Sequence, residues 1–70
     1  MSMFELIQQL RFPVTATDAA GQWNRSFNIA QQRLWNAERQ GLLIAVKIGN
    51  RKLYSPSALM LRKILEENNG

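Results

Sequence analysis

Seventy residues with nine Lys/Arg, five Asp/Glu and no histidine give a formal charge of +4 at pH 7, and 46% of the chain is hydrophobic. A chain of this size buries one small core, so a single domain over residues 1–70 is expected, with oligomerisation a ready source of further stability. The lack of cysteine excludes disulfide frameworks and thiolate zinc sites and points to a reducing cytoplasm; the lack of a long apolar run excludes a membrane-spanning helix, and Met1-Ser2-Met3-Phe4-Glu5 lacks the basic start of a signal peptide.

Met3, Phe4, Leu6, Ile7 and Leu10 recur at helical spacing and predict a first helix over residues 2–11, with Arg11 placed to complement the helix dipole. Pro13 stops it, and Phe12-Pro13-Val14 reads as an extended connector. Thr15, with Asp18 three residues on, has the form of a capping box. The second helix then covers residues 16–23, and its Ala16, Ala19 and Ala20 offer a small face for another helix.

After a turn through Asn24 and Arg25, Ser26 is the expected cap of a third helix over residues 26–40, closed by Gly41. Phe27, Ala30, Leu34, Ala37 and Gly41 fall at three- and four-residue steps and form its buried stripe. Its other face holds Asn28, Gln32, Asn36 and Arg39, flanked by Gln31 and Arg33. Trp35, at one edge, is expected in the core under the hairpin that follows, as are Trp23 and Tyr54.

Residues 43–48 are rich in aliphatic and β-branched side chains, with Ile44, Val46 and Ile48 on one face and Ala45 and Lys47 on the other, the alternation that a half-buried strand requires. Gly49-Asn50 is a two-residue hairpin turn and residues 51–54 the returning strand. Ser55-Pro56 then begins a last helix, whose apolar face of Met60, Leu61, Ile64 and Leu65 runs to Glu67 before Asn68-Asn69-Gly70 frays.

Charge is concentrated between Gln22 and Lys63, where eight cations meet Glu38 alone, a net +7. Such a segment suits a polyanion, and cations spread over several elements favour nucleic acid over a membrane surface. Planar amides and guanidiniums on an acid-poor helix are the groups that pair with base edges in a major groove. Asn28, Gln31, Gln32, Arg33 and Asn36 are therefore expected to contact bases or phosphates. Arg25 is placed to meet phosphate, and Lys47, Arg51 and Lys52 to carry a hairpin onto the backbone.

The ordered set of Thr15-Ala16-Thr17-Asp18-Ala19-Ala20, then Leu34, Ala37, Gly41, Leu42 and Leu43, then Ile48-Gly49-Asn50-Arg51-Lys52-Leu53-Tyr54 resembles the winged helix-turn-helix domain of bacterial regulators such as the ArsR and MarR types. That resemblance covers nearly the whole chain. It implies an α+β, mostly helical fold of three helices, a two-stranded wing hairpin and a C-terminal helix. It also implies that the third helix enters a major groove while the wing reaches the backbone. The function expected is sequence-specific binding of double-stranded DNA by a small bacterial or phage transcriptional regulator, cytoplasmic and nucleoid-associated.

Two alternatives stand beside it. Gly49-Asn50-Arg51-Lys52-Leu53-Tyr54-Ser55-Pro56 is also similar to the wing of MerR-like and excisionase domains, which implies a recombination or architectural factor. The other is a protein-interaction module that docks a partner through the exposed amides and Trp35. The broad stripe of the last helix suggests a homodimer through the first and last helices. With no histidine, no cysteine, no phosphate-binding glycine loop and only the adjacent Glu66-Glu67 as a carboxylate pair, no enzyme, metal, cofactor or small-molecule ligand is expected.

Overall fold

The computed structural model describes residues 2–69, in the order α1 (Met3–Gln8), α2 (Ala16–Trp23), α3 (Phe27–Arg39), β1 (Leu43–Ile48), β2 (Arg51–Pro56) and α4 (Ala58–Asn69). Four helices and one two-stranded antiparallel sheet make a small, mostly helical α+β structure. Met1 and Gly70 lie outside the described residues, and Asn68 and Asn69, expected to fray with Gly70, instead continue α4.

Ser2 caps α1 by accepting the Glu5 N–H at 3.2 Å, but the helix ends three residues earlier than its apolar spacing suggests. The last turn tightens as Leu10 N–H reaches the Ile7 carbonyl, and Arg11 leaves the helix to donate its N–H to Gln22 Oε1 at 2.7 Å. Arg11 therefore cannot serve the dipole of α1. The connector, expected to be extended, instead bends at Phe12 and Pro13, which are joined by a cis peptide bond, and becomes strand-like only at Val14. Val14 and Tyr54 exchange backbone hydrogen bonds of 3.0 and 2.8 Å, which ties it to β2 as an isolated bridge.

Thr15 and Asp18 form the full capping box of α2, and Asn24 ends that helix in the left-handed region at φ 56°. Ser26 caps α3 by accepting the Ile29 N–H, and Gly41 follows its end at φ +80°, a conformation that a Cβ would strain. Ala19 of α2 is buried in one core with Ala30, Leu34 and Ala37 of α3. Ile7, Leu10, Trp23, Leu43, Tyr54 and Met60 close the core around them. Trp23 lies there as expected and donates its indole N–H to the Leu6 carbonyl at 2.8 Å.

Three packing expectations fail. Phe27 and Trp35 keep 49% and 48% of their surface exposed: Phe27 stands in the first turn of α3, and Trp35 is turned about 100° away from the fully buried Leu34 beside it. The hairpin has the expected turn, with Gly49 at φ 62°, but faces the opposite way to its hydrophobicity. Leu43, Ala45 and Tyr54 point inward, while Ile44, Val46 and Ile48 remain 52%, 51% and 61% exposed. Tyr54 fixes this choice: its backbone is held by Val14 and its ring is buried, so the strand cannot turn over.

The start of α4 also moves. Ser55 and Pro56 stay in β2, paired with Ile44 and Leu43, and Ser57 takes the capping position. Its hydroxyl accepts the Met60 N–H at 3.1 Å and donates to the Gly41 carbonyl at 2.6 Å.

Candidate functional site

Along α3, Asn28, Gln32 and Asn36 are exposed on the outward side, and Arg25 precedes them with its guanidinium on the Asn24 carbonyl at 3.3 Å. Arg33 is half-buried, its guanidinium 5.4 Å from the centre of the Trp23 ring, so it is engaged in packing as well as charge. Gln31 lies on another strip of the helix, about 100° around from Gln32. There, with Phe27 and Trp35, it lines an open cleft of about 550 Å³.

The opposite wall of that cleft is the hairpin tip, Asn50, Arg51 and Lys52, and Thr15 to Asp18 at the start of α2 close its end. The structure thus brings Gln31, Arg51 and Lys52 together and leaves Asn28, Gln32 and Asn36 on a different strip. Lys47 is exposed on β1, opposite Lys52 in the ladder. The acid-poor character of this region is reduced by Glu38, whose Oε1 lies 3.2 Å from Lys52 Nζ. The Tyr54 phenol first, working against partial burial and aided by Glu38, holds the Lys52 ammonium above the ordinary lysine range.

A second cleft of about 670 Å³ lies where α4 passes the start of α1 and the end of α3. Met3, Phe4, Leu42 and Leu59 supply its apolar lining, and Gln40, Lys63, Glu66 and Glu67 its polar rim. Beside it, α4 carries more apolar surface than it buries. Met60 is in the core and Ile64 packs on it, yet Leu59, Leu61 and Leu65 are 44%, 49% and 61% exposed. Leu61 and Leu65, four residues apart, share one side of the helix and continue the buried stripe out to the surface.

The sequence reading missed the outward face of the hairpin. A signal for it was present: Gly49-Asn50 as a two-residue turn places Leu43, Ala45, Lys47, Lys52, Tyr54 and Pro56 on one face by parity. That face holds the one large aromatic of the hairpin, and Ala45 opposite gives it room. Among the described residues there is no group of three or more metal-ligating side chains. No described helix is long and apolar enough to cross a membrane.

No family model matches the chain. No curated protein matches it either. Among solved structures it is similar to human N-acetylserotonin methyltransferase in complex with SAM, with a TM-score of 0.67 at 19% identity. The likeness covers 81% of this chain and spans 16% of that one. At that identity what is shared is the fold of a piece.

This finding corrects the resemblance to ArsR- and MarR-type regulators, for the similar structure is a methyltransferase. The assignment as a double-stranded DNA-binding transcriptional regulator is withdrawn with it, along with the nucleoid association. So goes the reason for reading Arg25, Asn28, Gln32 and their neighbours as base and phosphate contacts. The exclusion of enzymes falls as well, since the similar chain is an enzyme.

Proposed function

We propose that the chain works by protein association, as a small module that pairs with a second copy of itself along α1 and α4. The observation that carries this reading is the exposed leucine ridge of α4. Fully burying a leucine is worth about 1.5–3 kcal/mol, a large increment for a domain whose own core supplies about 3–5 kcal/mol. Leu61 and Leu65, four residues apart on one side of α4, therefore offer a contact strong enough to matter to both folding and assembly. The likeness to a methyltransferase fits a module of this kind, because the matched piece is about 57 residues and a fraction of that enzyme's chain. A cytoplasmic location accords with the lack of cysteine.

Sedimentation equilibrium tests the pairing. The chain is expected to be dimeric at micromolar concentrations, and Leu61→Lys with Leu65→Lys to weaken the dimer about 100-fold or more while the circular dichroism of the fold is kept. A monomer up to about 1 mM rejects the reading.

The structural neighbour favours a second reading, in which the cleft between α1 and α4 takes an adenosyl ligand such as SAM. Its volume falls in the range of about 300–1,000 Å³ of small-molecule sites, Phe4 offers a ring to stack on, and Glu66 and Glu67 offer acceptors for hydroxyls. Calorimetric titration with SAM decides it. A binding heat abolished by Phe4→Ala supports an enzyme-related role, and no heat at about 1 mM SAM removes it.

A further inference from the structure

We infer that β1 is a second self-association element, whose free edge pairs antiparallel with β1 of another copy about a two-fold axis through Ala45. The inference starts from which way the strand's backbone groups point. Tyr54 spends its N–H and C=O on Val14, on the side of β2 away from β1. In an antiparallel ladder, a residue that faces away on one strand is opposite one that faces away on the other. Ala45 is the partner of Tyr54, so its N–H and C=O point outward from the sheet. By alternation so do those of Leu43 and Lys47.

Two details agree with this assignment. Pro56, which has no N–H to give, stands opposite Leu43 in the same class of pair, and Ser57 N–H reaches the Leu42 carbonyl at 2.9 Å in the other class. The central strand is therefore β2, and β1 is the open edge, with no hydrogen-bond partner for the outward groups of Ala45 and Lys47 among the described residues.

A free edge flanked by an exposed apolar face is a template for strand addition. The occupant is a second copy because the strand is complementary to itself. Residues 43, 45 and 47 present outward groups, so an antiparallel two-fold lies at one of them or at Ile44 or Val46 between them, and an axis at Ile44 or Val46 uses only two of the three. An axis at Lys47 sets two ammonium groups opposite each other, and one at Leu43 uses only the start of the strand. The axis at Ala45 pairs Leu43 with Lys47 of the other copy and uses all three. On the outer face it also sets Ile44 against Val46 of the second copy, twice, so that the side chains now 52% and 51% exposed cover one another.

Amide hydrogen exchange of the native chain at rising concentration is the test. Ala45 and Lys47 are expected to exchange fast in dilute solution and to become at least about tenfold slower as copies pair, while Ile44 and Val46, bonded to β2, are slow throughout. Ile44→Thr with Val46→Thr, on a surface that the monomer does not bury, is expected to keep the fold and abolish the concentration dependence. Leu61→Lys with Leu65→Lys is expected to leave it in place, which separates this edge from the α4 surface. Ala45 and Lys47 amides that stay fast at every concentration, or are slow at every concentration, overturn the inference, as does a concentration dependence that survives the threonine pair.

Discussion

The α2–α3 pair and the β1–β2–α4 portion of this chain are made of comparably apolar sequence, yet they spend it differently. In the first, small residues interlock and each helix end is closed by its own side chain: Thr15 and Asp18 before α2, Ser26 before α3. In the second, Ile44, Val46 and Ile48 on the hairpin and Leu59, Leu61 and Leu65 on α4 face outward, beside Phe27, Ile29 and Trp35 exposed on α3 in the first. Hydrophobicity alone therefore does not decide burial here. A residue is buried when a neighbouring element anchors its backbone over the core, as Val14 does for Tyr54.

Paired truncations on the two sides test this contrast. Leu34→Ala, at a side chain with no exposed surface, is expected to cost about 2–5 kcal/mol in urea unfolding. Ile48→Ala, on the outward face of the hairpin, is expected to change the stability of the monomer by less than about 0.5 kcal/mol. Similar losses at the two sites would mean that the hairpin face is covered in solution even in the monomer.

The two serine and threonine caps sharpen the same contrast on a smaller scale. Thr15→Ala removes one exposed cap and is expected to cost about 0.5–2 kcal/mol. Ser57→Ala is expected to cost more, because its buried hydroxyl serves two partners, the Met60 N–H and the Gly41 carbonyl, and each is left without that bond. Chemical denaturation of the two variants side by side ranks them. A Thr15 variant less stable than the Ser57 variant would remove Ser57 from its role as the junction of α3, β1 and α4.

What could be read directly from the chain was local. The capping box at Thr15, the cap at Ser26, the glycine after α3 and the Gly49-Asn50 turn are set by a few neighbouring residues, and they stand where the sequence puts them. What could not be read depended on distant partners. The side of the hairpin that faces in follows from the Val14–Tyr54 bridge, forty residues apart in sequence, and the exposure of Trp35 follows from its facing the open cleft whose far wall is the hairpin tip. The start of α4 slipped by two residues because Ser55 and Pro56 found strand partners on β1. The cationic face was legible as composition, but its meaning was not: Gln31 and Lys52 share a cleft with Phe27 and Trp35, and Lys52 is already engaged by Glu38 and Tyr54.

That engagement of Lys52 gives the smallest expected effect and a definite sign. Its ammonium lies 5.2 Å from the centre of the Tyr54 ring and 3.2 Å from Glu38 Oε1, and Tyr54 above all raises its affinity for the proton in the folded chain. A group whose folded value is raised stabilises the fold fully below its unfolded value, about 10.4 for lysine, and loses that contribution as pH climbs through the folded value. The side chain is 44% exposed, so solvent screening holds the contribution to a few tenths, about 0.2–0.5 kcal/mol. Native chain and Lys52→Met should therefore differ by that constant amount from pH 7 to about pH 9, converge as pH rises through the folded value, and approach each other at about 1 M salt. A gap that widens with rising pH would reverse the sign and place Lys52 away from both partners.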